Sequence, residues 1–194
     1  MFPRGPAPAR GAAGRRGPDR PRDLREDTVK RKWLFFGLTM ASIVLLDLVT
    51  KALAVHYLRF GQTVRVMGGA LALTLTFNRG AAFSLSVGDA SRWFFLATSL
   101  FALGAILIFY HRTEQTHRLQ LAALALISSG AVGNLIDRIR WEHGVVDFIG
   151  PINLGVMFWP VFNVADSAIT CGALLLAAAL WKSDRKVEVP EPAR

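Results

Sequence analysis

The stretch LQLAALALISSGAVGNLI, residues 119–136, holds no Asp, Glu, Lys or Arg. A helix needs about 17–25 mostly apolar residues to cross the hydrocarbon of a bilayer, and this run meets that length. Working outward, three more runs do the same: Trp33 to about Val55, about Trp93 to Tyr110, and about Pro160 to Trp181. Four such runs in 194 residues leave no amphipathic helices to cover them as the core of a water-soluble protein. The fold class is therefore a mainly α membrane protein with four transmembrane helices. The first run exceeds the h-region of about 7–15 residues found in cleaved signal peptides, and no small-x-small cleavage site follows it. It is read as a retained helix.

The chain is 52% hydrophobic and 19% charged, too apolar for a disordered protein. Its single cysteine, Cys171, excludes an intrachain disulfide framework and any multi-cysteine metal site. A net charge of +9 would by itself suggest a nucleic-acid binder. The position of the charge argues otherwise. Residues 1–32 hold ten Lys or Arg and four acids, so +6 of the +9 lies in this segment. It is rich in Pro, Gly and Ala, lacks apolar periodicity, and reads as a disordered basic tail. No aromatic residues interleave its basic ones, as single-strand stacking would require, and no nucleic acid is expected as a partner. The organisation read from the sequence is thus a tail over 1–32, a four-helix domain over 33–181 and a C-terminal tail over 182–194.

Basic residues also set the expected orientation. The N-terminal tail, the short connection with His111, Arg112, His117 and Arg118, and the C-terminal tail with Lys182, Arg185, Lys186 and Arg194 fall on one side if there are four spans. That side is expected to be the cytoplasm, with both termini inside. The longer connections, about 56–92 and 137–159, then face outward. Thr63 to Phe77 (TVRVMGGALALTLTF) alternates and is rich in Val, Leu and Thr, which predicts two short strands broken at Gly68-Gly69. Residues 145–158 could add another, giving a small β-sheet on the extracytoplasmic side.

Ionisable groups inside spans are costly and are functional candidates. Asp47 and Lys51 lie late in the first helix, four apart and able to pair. Asn134 and Asp137 share a face at the end of the third, followed by Arg138. Asp147 follows in HGVVDF (143–148), and Asn163, Ala165 and Asp166 open the fourth. With four spans, all of these reach one depth near the outer surface. The bland account is scattered helix caps and local pairs, such as Asp166 on a helix dipole or Asp137 with Arg138. Two adjacent carboxylates push their pKa values apart. The ionised one can then take a proton from water while the protonated one donates to a carbonyl or leaving group. That is aspartyl protease chemistry, and it needs no metal or cofactor. A metal site is disfavoured: there is no HExxH, no nearby Cys and only His143 close by. A Ser–Lys dyad lacks a sequence-local Ser beside Lys51. A small ion or proton transporter and an inert membrane scaffold are the other classes. Transporter sites usually lie at the midplane, not at one surface. The residues alone leave open which of Asp137 and Asp147 joins Asp166.

Four blocks resemble one family: LDLVTK (46–51), FNRGAAFS (77–84), SSGAVGNLIDRIRWEHGVVDFIG (128–150) and FNVADSAIT (162–170). The chain resembles lipoprotein signal peptidase (signal peptidase II), a bacterial inner-membrane aspartyl protease family, over almost all of 33–181. The resemblance implies cleavage of prolipoproteins just before a cysteine that carries a diacylglyceryl group. It implies that the catalytic pair is Asp147, from VVDF, and Asp166, from FNxADS. It implies substrate-binding or supporting roles for Asn78 and Gly80, for Asn134, Asp137, Arg138, Asn163 and Ala165, and for Asp47 and Lys51. Leu48 departs from the family's usual Gln, and Ser129 from a common Gly; neither touches the pair. The implied partners are lipidated precursors and membrane lipids, the implied location is the inner membrane, and a monomer is expected.

Overall fold

The computed structural model describes residues 21–80 and 91–187. Residues 1–20 and 188–194 of the tails and 81–84 of FNRGAAFS lie outside the described residues. Four long helices carry the chain: α1 (Pro21–Tyr57), α2 (Ser91–Arg112), α3 (Arg118–Arg140) and α4 (Val164–Val187). Among the described residues these four are long and apolar enough to cross a membrane. Between them lie β1 (Thr63–Val66), β2 (Leu71–Asn78), β3 (Val145–Ile149), β4 (Ile152–Asn153) and β5 (Phe158–Trp159).

Residues 21–32, expected to belong to a disordered tail, are the first turns of α1. Proline suits a first turn because its missing N–H has no intrahelical partner there. Arg, Glu and Lys are good helix formers, and an apolar helix already formed propagates at little cost. Lys32 also has a tertiary task. Its ammonium donates to the carbonyl oxygens of His111 and Thr113 at 3.0 and 2.7 Å, capping the C-terminal end of α2. Tyr110 returns a hydrogen bond to the Lys32 carbonyl at 2.8 Å. Beside this joint Phe36, Tyr110, Leu121, Leu124 and Ala125 form a buried apolar cluster that ties α1, α2 and α3, with Leu176 of α4 against it.

α3 is the central helix, touching α1, α2 and α4. Apolar side chains on the outer helix faces, among them Leu38, Leu45, Phe101, Phe109, Leu174 and Trp181, are exposed. In water that would be a liability; in a bilayer it is the face lipid covers. Without a hydrophobic drive between helices, close packing needs small residues. The α3–α4 seam has them. A Cβ at Gly130 would collide with the Ala165 carbonyl oxygen, and one at Gly172 would come within 2.8 Å of the Ala123 carbonyl oxygen.

At the other end of the bundle from the Phe36 cluster, β1, β2 and β3 form an antiparallel sheet in that order, and β4 pairs with β5. The β1–β2 turn is Met67–Gly69, where Gly68 and Gly69 take φ of +69° and +95°. Thr76 stands opposite Asp147 and Asn78 opposite Val145, past a bulge between Leu73 and Thr76. Side chains two apart on a strand share a face, so Asn78, Thr76 and Asp147 face the same way. Phe162 exchanges hydrogen bonds with Ile149 at 2.8 and 2.9 Å, which fixes the start of α4 against the strand that carries Asp147.

The seam makes a stability prediction. Gly130→Ala should cost about 1–3 kcal/mol, because the atom in the way is backbone and cannot swing aside. Gly104, with nothing within 4 Å of an added Cβ, should accept Ala without loss. Thermal unfolding of both variants in detergent checks the pair.

Candidate active site

The polar residues noted in the sequence meet where α1, α3, α4 and β3 converge. The innermost is Lys51, whose ammonium lies 2.7 Å from Asp47 Oδ2 and 2.8 Å from Asp137 Oδ2 and donates to Asn134 Oδ1 at 3.1 Å. Two carboxylates and one amide oxygen thus surround the ammonium, and the side chains of Lys51, Asp47 and Asp137 are almost wholly buried. Each carboxylate has a second use. Asp47 accepts the Ala165 N–H at 2.9 Å, satisfying a free donor in the first turn of α4. Asp137 accepts the Val146 N–H at 3.1 Å and anchors β3 one residue before Asp147. Ala165 is fully buried. Gly133 is needed beside it, since an added Cβ would lie 2.6 Å from Asp47 Oδ2.

Asn163 precedes α4 and caps it. Its Oδ1 accepts the Asp166 N–H at 2.8 Å, and Asp166 Oδ2 accepts the Asn163 N–H at 3.3 Å. This is a reciprocal capping box with Asp in the place of the usual Glu or Gln. The amide nitrogen of Asn163 donates to Asp147 Oδ1 at 2.7 Å, with Asn134 Oδ1 at 3.1 Å and the Val146 carbonyl oxygen at 3.2 Å also in reach. Asn134 uses its Nδ2 on Asp166 Oδ1 at 2.7 Å. Because Lys51 requires the oxygen end of the Asn134 amide, the nitrogen end must face Asp166. Two asparagines therefore hold the two aspartates, one each.

Asn78 adds a hydrogen bond to Asp147 from the sheet. Its own Oδ1 accepts the Gly80 N–H at 2.9 Å; Gly80 has φ of +106°, and a Cβ there would strike the Phe95 ring. Burial pushes the Asp147 carboxyl up to about 7, helped by the charge of Asp166 and opposed by hydrogen bonds from Asn78 and Asn163 and by the charge of Lys51. Arg138 donates to the Asn134 carbonyl oxygen at 3.2 Å at the edge of the network. Asp166 and Asn78 open onto a cleft of about 510 Å³, walled by Trp159, Val161, Phe162, Thr170 and Cys171.

The structure brings all the sequence-selected polar residues together. Asp137, whose neighbour Arg138 was one expected partner, pairs with Lys51. The cleft walls escaped the sequence reading. For Thr170 a signal existed, because it lies four residues after Asp166 on the same helical face.

The Signal peptidase (SPase) II family model matches residues 39–182. The chain belongs to the signal peptidase II family. The lipoprotein signal peptidase of Geobacter metallireducens is 40% identical over 159 residues, 81% of this chain and 97% of its own length. That of Francisella tularensis subsp. novicida is 43% identical over 147 residues, 74% and 89% of the two chains. A bacterial membrane enzyme structure solved in meso at 1.9 Å superposes with a TM-score of 0.68 at 32% identity, covering 75% of this chain and 92% of that one. A second, at 2.3 Å, gives 0.71 at 31% identity over 82% and 94%. As a signal peptidase II, the protein is a lipoprotein-processing peptidase of a bacterial inner membrane.

Breaking the innermost contact tests its weight. Lys51→Met leaves Asp47 and Asp137 buried without a counter-charge and should destabilise the fold by about 3–5 kcal/mol. Unfolding followed by circular dichroism in detergent measures this.

Proposed function

We propose that this signal peptidase II is an aspartyl endopeptidase whose catalytic pair is Asp147 and Asp166. It cleaves lipoprotein precursors just before a diacylglyceryl-modified cysteine. The observation that carries the reading is the paired restraint of these two carboxylates by Asn163 and Asn134, with Asp147 deeply buried and Asp166 open to the cleft. Asp166 receives hydrogen bonds from Asn134 and from the Asn163 N–H in the first turn of α4, where negative charge is favoured. It is suited to accept a proton from the attacking water. Asp147, pushed up to about 7, is mainly protonated below that pH and is suited to donate its proton to the scissile carbonyl or the leaving amine.

The mainly apolar walls of the cleft suit a substrate held by acyl chains. Asn78 and Gly80 hold Asp147 from the sheet side; Lys51, Asp47, Asp137 and Arg138 hold Asn134 and the helix ends. The basic termini and the basic α2–α3 connection support an orientation with both ends in the cytoplasm and the pair near the outer face.

A gel-shift assay on a diacylglyceryl-modified precursor tests the assignment. Asp147→Asn and Asp166→Asn should each lower the cleavage rate by about 10²–10⁴-fold while the protein stays inserted and folded. Full activity in either variant excludes the pair. The pH profile offers a separate check. Since the raised Asp147 carboxyl loses its proton as pH climbs through about 7, kcat/KM should fall on the alkaline side of that value. A profile flat from pH 6 to 9 would remove Asp147 as the acid.

A further inference from the structure

Two further cavities lie along α1, one of them walled by Lys51 itself. One is a trough of about 490 Å³ on the α1 face that carries Gly37, Met40, Ala41, Val44 and Leu48, closed by Val132 of α3. These α1 positions recur at helical spacing, so they form one stripe. Gly37 to Leu48 spans roughly 16 Å at 1.5 Å per residue. The trough is shallow, and at its Gly37 end there is open space: an added Cβ would meet nothing within 4 Å. At Leu48 the trough meets a second cleft, of about 330 Å³, which Ala52, Val55 and His56 of α1 share with Arg140, Trp141 and the walls of Lys51 and Asp137.

The two cavities differ in chemistry. The trough is apolar throughout. In the cleft, Lys51 and Asp137 are committed to each other at 2.8 Å, but Arg140 is exposed, and among the described residues no carboxylate pairs with it. Its guanidinium stands 5.7 Å from the centre of the Trp141 ring. His56 supplies a further polar group at the same rim. Glu142, the nearest acid in sequence, does not line the cleft. An indole beside a cation at the end of a membrane span is the arrangement found at head-group level.

The geometry points to a binding site for one anionic glycerophospholipid in the α1–α3 groove. An acyl chain lies in the Gly37–Leu48 trough, and the phosphate meets Arg140 and His56 beside Trp141. This site is separate from the one that takes the substrate: the cleft at Asp166 and the cleft at Arg140 share no lining residue. It differs from the rest of the lipid-facing surface in joining a shallow apolar trough to a cation that, among the described residues, has no carboxylate partner.

Native mass spectrometry of the full chain, released from vesicles of equal parts phosphatidylglycerol and phosphatidylcholine, tests the site. One phosphatidylglycerol should stay bound in preference to phosphatidylcholine. Arg140→Gln should lower the bound fraction about tenfold. Ala52→Phe, which fills the cleft from a lipid-facing position, should remove the adduct with the thermal midpoint unchanged. Equal retention of the two lipids, or retention undiminished in both variants, would overturn the proposal. A dimer mass in place of the adduct would overturn it too, assigning the trough to a second copy. The readout is bound lipid, so its failure leaves the Asp147–Asp166 reading standing.

Discussion

The ammonium of Lys51 is the point on which the rest of the structure depends. A lone charge inside a membrane span is expensive, and two carboxylates buried without a cation would be more so. Placed between Asp47 and Asp137, Lys51 lets both carboxylates remain buried and spend their remaining lone pairs elsewhere. One goes to the first turn of α4, the other to the start of β3. A single cation in α1 therefore positions, through two acids, both elements that carry the outer aspartates. Its third contact turns the Asn134 amide toward Asp166.

This arrangement requires the helices to be close. Gly130, Gly133 and Gly172 let α3 and α4 approach until backbone nearly touches backbone, and Gly133 makes room for the Asp47 carboxylate itself. The sheet completes the enclosure. Its register puts Asp147 on the face shared by Asn78, and the Phe162–Ile149 pair sets the start of α4 against it. The buried polar groups are satisfied almost entirely by one another, which is the condition under which such a network gives rigidity.

Much of this was legible in the sequence. Four long apolar runs marked the spans, and alternation broken by Gly68-Gly69 marked the β1–β2 hairpin. The convergence of Asp47, Asn134, Asp137, Asp147, Asn163 and Asp166 followed from topology alone. What the sequence did not disclose depended on pairing across elements. Nothing local says that Asp137 meets Lys51, 86 positions away, more closely than it meets a neighbouring arginine. The helical start at Pro21 was hidden because composition reports solvation, while Lys32's capping of α2 is a tertiary gain. The family resemblance chose Asp147 over Asp137. The structure supplies a physical reason for that choice: Asp137 is occupied by Lys51 and the Val146 N–H, whereas Asp147 is held mainly by amides.

The capping box at Asn163 and Asp166 has a consequence for the birth of the protein. The chain leaves the ribosome with α1 first and α4 last, and Asp166 becomes oriented only when the first turn of α4 closes on Asn163 and on Asp47. A nascent chain with three helices inserted has its lysine and its inner acids but not the second outer carboxylate. On the proposed assignment of Asp166 to the catalytic pair, competence to hydrolyse arrives only with the final helix.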